Sequence, residues 1–147
     1  MQAFSLVCAL LLLLLVCLVA GEEERFFISW ARGNDTNSGR SPAAAWRSLS
    51  HALDYTARHL PPDARVHLLL MPGAAAQAFG LDFGPGRRVA VSSVDERGGG
   101  ECAEPVPVNA MTHQFANVAA NATVRFCGID LSGAWTTDSE GSAFHSE

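Results

Sequence analysis

Apolar residues run almost without interruption over positions 4–20, with leucine at every position from 11 to 15, and every charged residue lies beyond them. Gly21 and three glutamates, Glu22, Glu23 and Glu24, close the run. An apolar segment of this length ending in small residues reads as a secretory signal peptide over residues 1–21. Its amino-terminal side carries no Lys or Arg, and about 17 apolar residues also reach the lower limit for crossing a bilayer. An uncleaved anchor over residues 4–20 is therefore the alternative. By either route residues 22–147 reach the extracellular surface or the secreted fluid.

Beyond the leader the pattern breaks into short pieces. Residues 25–30 are aromatic and branched and predict a strand. Residues 33–39 (Gly33, Asn34, Asp35, Thr36, Asn37, Ser38, Gly39) bond their own backbone or accept positive φ, and predict a tight loop. A calcium loop of the EF-hand type would need an acidic residue where Ala45 stands, so the loop reads as Asx-turns. Ser48 offers a capping hydroxyl. After it Leu49, Ala52, Leu53, Thr56, Ala57 and Leu60 recur at steps of three and four, one apolar stripe of a helix that Pro61 and Pro62 end. His51, Asp54, Arg58 and His59 fall opposite. The two histidines have no third ligand nearby and read as solvated side chains.

Residues 66–71 predict a strand stopped by Pro72 and Gly73, and residues 74–78 are helix-prone but short. Residues 81–83, 88–94, 106–110, 115–118 and 123–131 are further strand candidates. Pro105 and Pro107 place one of them at an edge or corner, and Gly128 bends the last. No second helix is available for βαβ crossovers, which argues against a doubly wound fold. The stronger strands begin near Val66, Val89, Val106 and Val124, at spacings of 23, 17 and 18 residues. That is near the short end of solenoid repeats and longer than the rhythm of roughly 8–12 residues of a β-sandwich.

The 147 residues allow one ordinary domain. Net charge is −5, no basic run exceeds the pair Arg87 and Arg88, and there is no lysine. A chain without a basic stripe does not predict nucleic-acid binding. Of four cysteines, Cys8 and Cys17 fall in the leader. Cys102 and Cys127 remain, able to pair as a disulfide in an exported chain or to stay as two buried thiols. Lacking Cys-x-x-Cys spacing, they do not supply a zinc shell, and no metal site is expected. Asn34-Asp35-Thr36 and Asn121-Ala122-Thr123 satisfy the N-glycosylation triplet. Asn34, in the loop, is the better acceptor; Asn121 stands just ahead of a strand.

Residues 26–73 resemble the opening of right-handed parallel β-helix proteins, the pectin-lyase-like superfamily. The matches are Phe27-Ile28-Ser29, the loop at 33–39, Pro42 with residues 46–53, and residues 66–73 ending in Pro72-Gly73. Residues 122–133 resemble one coil. Gly141-Ser142-Ala143-Phe144 resembles the start of the Gly-Gly-Ala-Ile motif of polymorphic outer membrane protein-type repeats. Ala74, Ala75 and Ala76 stand where that superfamily usually has a Tyr after Pro-Gly-Thr. The resemblance implies an all-β fold: an incomplete right-handed parallel β-helix of about three coils with an amino-terminal capping α-helix, preceded by the signal helix.

Members of that superfamily bind or cleave acidic polysaccharides, or are surface proteins without chemistry. Its lyases use clustered carboxylates for calcium, whereas Asp82, Asp95, Glu96, Glu101 and Glu104 are scattered in turns here. Asp130 and Asp138 do not make the facing carboxylate pair of a glycosidase, and no Ser-His-Asp set has a nucleophile elbow. The expectation is a secreted or cell-surface module with a binding or structural role, without catalytic residues or cofactor. Its expected partner is a polysaccharide or a surface protein, not nucleic acid, with membrane contact only through an uncleaved leader. The alternative is the amino-terminal fragment of a polysaccharide lyase or glycoside hydrolase whose catalytic coils are missing. A third reading is a small disulfide-linked β-sandwich that recognises a partner.

Overall fold

The structure, a computed structural model, describes residues 22–73, 76–78, 81–102, 104–110, 116–118, 121–133 and 144–146. The leader assigned to residues 1–21, and its anchor form over 4–20, lie outside them. Among the described residues the elements run β1 (Glu24–Ile28), a 3-10 turn (Pro42–Ala44), α1 (Leu49–His59), β2 (Arg65–Leu70), β3 (Ala76–Ala78), β4 (Leu81–Phe83), β5 (Arg88–Ser93), β6 (Val106–Ala110), β7 (Ala116–Val118), β8 (Thr123–Cys127), β9 (Ile129–Gly133) and β10 (Phe144–Ser146). The strands form a four-stranded sheet in the order β1-β2-β5-β8 and two of three strands, β10-β7-β4 and β3-β6-β9. Every strand pairing among them is parallel, which removes the antiparallel neighbours a sandwich would need.

Register explains the core. In the four-stranded sheet Phe26, Leu68, Val91 and Phe126 stand in one row, and Val66, Val89 and Val124 in the next. With Ile28 and Leu70 they form the main hydrophobic cluster. In β2 every residue from Val66 to Leu70 is buried, as expected of a parallel strand covered on both faces. Its second face is covered over one half only, where Leu69 packs with Ala45, Met71, Val94 and Phe27.

The helix belongs to the main cluster. Leu49, Ala52 and Leu53 pack there with Phe26, Leu68 and Phe83. This corrects the all-β expectation: the described residues form a mixed α/β structure of parallel strands with a helix, and no all-β helix of about three coils is evident in them. The physical reason is the apolar stripe itself. Periodicity predicts that it covers something apolar, but not whether it lids one end of a stack or enters the core; it enters the core.

Proline chemistry also gives a different result from the one expected. Pro107 lies in β6, the middle strand of its sheet rather than an edge. Val106 N–H donates to Gly128 on the β9 side, so the next position turns its nitrogen toward β3. Among the described residues pairing with β3 starts at Val108.

Helix entry is built by the loop at 33–39. Asp35 Oδ1 accepts from the backbone amides of Arg47 (2.8 Å) and Ser48 (2.9 Å), and its Oδ2 accepts from the Ser48 hydroxyl (3.0 Å). Ser48 Oγ in turn accepts from His51 N–H at 3.1 Å. Helix exit is built by Arg87, whose guanidinium donates to the carbonyls of Ala57 (3.0 Å) and Pro61 (3.1 Å), a cation where the helix dipole favours one. Partial burial pushes the Asp35 carboxyl upward, but its bonds to Ser48 and Arg47 outweigh that and hold its pKa below the ordinary 3.8. A carboxyl depressed in the folded state contributes stability that is present above about 3.8 and is lost as pH falls through the folded value. Asp35→Ala is expected to destabilise by about 1 kcal/mol at neutral pH and to flatten the acid limb of a urea-unfolding series run against pH. An unchanged acid limb would show that the loop does not hold the helix.

Candidate functional site

On the outward side of the four-stranded sheet, Arg25, His67, Ala90 and Arg125 form one row, and Arg65, Arg88 and Thr123 the row beside it. The covered half of this face carries Phe27, Leu69, Ser92 and Cys127. Over it runs the segment from Val94 to Cys102, tied down at both sides. Cys102 is joined to Cys127 of β8, their Cα atoms 5.3 Å apart, and Cys102 N–H donates to Ser93 at 2.9 Å. At the far side Arg25 of β1 binds the Glu101 carboxylate. Gly98, at φ 84°, touches Phe27 so closely that a Cβ would sit 2.6 Å from the ring. The turn is held by Asp95, whose carboxylate accepts from Arg97 (2.8 Å) and Gly99 (2.9 Å). The Gly99 amide, with that of Arg97 next, keeps its pKa below the ordinary carboxylate value.

The uncovered half is a groove of about 480 Å³ lined by Glu23, Arg65, Arg88, Ala90, Thr123 and Arg125 together with Val66 and Val89. Arg65 and Arg88 are direct register partners, and Arg88 is the partner of Thr123. Strand spacing therefore places the first two about 4.8 Å apart at the backbone. Like charges directly opposed across strands repel. Elsewhere Arg40 pairs with Glu24, Arg32 with Glu96 at 3.3 Å and Arg58 with Asp54 at 2.9 Å. Arg65, Arg88 and Arg125 are exposed and meet no carboxylate in an ion pair among the described residues. The Glu23 carboxylate in the groove faces Arg25 at 3.7 Å and His67 Nδ1 at 3.5 Å.

His67 Nε2 lies 2.8 Å from Ser92 Oγ, with both residues buried. A hydroxyl next to an imidazole and a carboxylate is the arrangement that activates a serine. Catalysis also needs donors aimed at a developing oxyanion and room for a substrate. Ser92 and His67 do not line the groove, so the bond ties β2 to β5.

Sequence reasoning finds some of these residues and misses the groove. Cys102 and Cys127 come together. Asn34 is exposed, with its Oδ1 accepting from the amide (3.0 Å) and hydroxyl (2.9 Å) of Thr36. Asn121 is exposed at φ 62°. Asp130 is exposed on β9, Asp82 lies on β4, and Glu96 and Glu104 are exposed; Asp138 lies outside the described residues. His59 is exposed, but His51 is half-buried, edge-on to Trp46 with ring centroids 5.2 Å apart. The signal for the groove was an arginine at the start of two strands, Arg65-Val66 and Arg88-Val89, and one after the valine of a third, Val124-Arg125. A search for contiguous basic runs passes over it.

Comparison with family models, with curated proteins and with solved structures finds no match to this chain. The resemblance of parts of the chain to a known superfamily therefore finds no support in these comparisons.

Proposed function

We propose that the protein is a binding module that holds an acidic polysaccharide in the groove formed by Arg65, Arg88 and Arg125. The observation that carries this reading is three guanidinium groups on successive strands of one sheet, exposed in one concavity and without ion-paired carboxylates among the described residues. Guanidinium forks bind carboxylate and sulfate groups bidentately, and their strand-by-strand spacing suits charges repeated along an extended chain better than one compact anion. We place the protein outside the cytosol, secreted or at the cell surface. Support comes from the apolar positions 4–20, the sequons at Asn34 and Asn121, and the Cys102–Cys127 pair, a bond that persists in oxidising compartments.

Titrating the protein with polygalacturonate and with heparin is the test. Binding is expected to weaken with added salt. Arg88→Ala is expected to weaken it by about tenfold, the scale of one charge-assisted contact. Arg58→Ala, which alters an exposed pair on α1, is expected to leave it unchanged. Binding that survives Arg65→Ala, Arg88→Ala and Arg125→Ala combined would overturn the proposal.

A further inference from the structure

We infer that His67 makes the arginine groove pH-sensitive: when its ring is protonated it draws the Glu23 carboxylate into an ion pair, and anions bind more tightly. The inference rests on reading the groove as an anion site and concerns its regulation. His67 is only 6% exposed. Its Nε2 is engaged with Ser92 Oγ, while its Nδ1 is buried with no hydrogen-bond partner among the described residues. A buried polar atom left without a partner is unfavourable and uncommon.

The orphan nitrogen faces a specific group. Glu23 Oε2 lies 3.5 Å from Nδ1, and Glu101 Oε2 lies 4.0 Å from Nε2. From β1, Arg25 reaches both of those carboxylates. From β5, the neighbours Ala90 and Ser92 bring no charge, and Arg125 of β8 stands two strands away in the same row. The ring therefore sits between two acids whose only cationic arginine partner among the described residues, Arg25, is shared. Neutral imidazole offers one donor and one acceptor; imidazolium offers two donors. In the tautomer whose Nε2–H donates to the Ser92 hydroxyl, protonation adds the second N–H at Nδ1, toward Glu23, and leaves the Ser92 bond in place.

Glu23 is the single acid among the described residues that line the groove. Pairing it with His67 neutralises the one charge there that repels an anionic ligand. Histidine is the side chain that changes charge between neutral and mildly acidic solution, whereas the three arginines do not. One unit of charge acting over several ångströms near a protein surface corresponds to roughly a threefold change in affinity.

The probe is heparin, because sulfate esters keep their charge when the solution is taken from about pH 7.5 to about pH 5.5, the range in which histidine titrates. The wild-type protein is expected to bind roughly threefold more tightly at the lower value. His67→Gln is expected to bind as wild type at the higher value and to lose the pH response. Glu23→Gln is expected to bind more tightly at the higher value and also to lose the response, which keeps the test decisive should His67→Gln fail to fold. Equal wild-type binding at both values overturns the switch while the groove stands. A response that persists in both variants also overturns it, since a histidine other than His67 would then be responsible. No wild-type binding at either value overturns the groove and the switch together.

Discussion

Replacing Trp46 by alanine is expected to destabilise the protein by about 3–5 kcal/mol, the range for deleting a large buried aromatic ring. The ring is 1% exposed. It stacks on Phe26 with centroids 4.6 Å apart and lies 4.8 Å from the Tyr55 ring, and its Nε1 donates to the Asn37 carbonyl at 2.7 Å. Trp46 thereby joins the loop at 33–39, strand β1 and helix α1. The backbone repeats the link: Trp46 N–H donates to Phe27 at 2.9 Å, and Ser29 N–H donates to Trp46 at 2.8 Å. Two glycines make the fit possible. A Cβ on Gly39, at φ 69°, would lie 2.7 Å from the indole, and one on Gly33 would lie 2.0 Å from the Trp46 carbonyl oxygen. So close a socket cannot collapse to fill the space. The measurement is a shift of the urea midpoint at unchanged slope. A loss below about 1 kcal/mol, the size of an ordinary surface change, would contradict the buried position.

Cys102→Ala with Cys127→Ala is expected to cost roughly 3 kcal/mol, the chain-entropy value for a cross-link spanning 25 residues. The bond fixes one end of the segment over Phe27 and Leu69, so part of the loss is local exposure of that cluster. Unfolding followed with and without a reductant checks it. The midpoint of the wild type falls on reduction and that of the double variant does not move. An identical midpoint for oxidised and reduced wild type would show that the bond is not formed.

Local chemistry makes much of the secondary structure legible in the sequence. The helix from Leu49 with its Ser48 cap, the strands near 66–71 and 88–94, and the break at Gly128 follow from side-chain period, capping and turn residues. The helix ends at His59, one position short of the last apolar residue of its stripe. Residues 76–78 pair as a strand although alanine favours helix, since three residues beside a sheet edge gain more from the ladder than from propensity. Fold class was not legible, because periodicity gives a helix its apolar face but not its partner. The groove was not legible either. It depends on register: Arg65, Arg88 and Arg125 stand 23 and 37 positions apart in the chain and become neighbours only when β2, β5 and β8 align.

Every fixed cation in the chain is a guanidinium, since the sequence contains no lysine. Guanidinium keeps its proton in any solution a folded protein survives, so a polyanion held as proposed would not be stripped from these side chains by alkali. Elution has to come from competing ions. If the groove binds as proposed, a heparin column releases the protein with concentrated sodium chloride and retains it through a rise in pH above about 7.5.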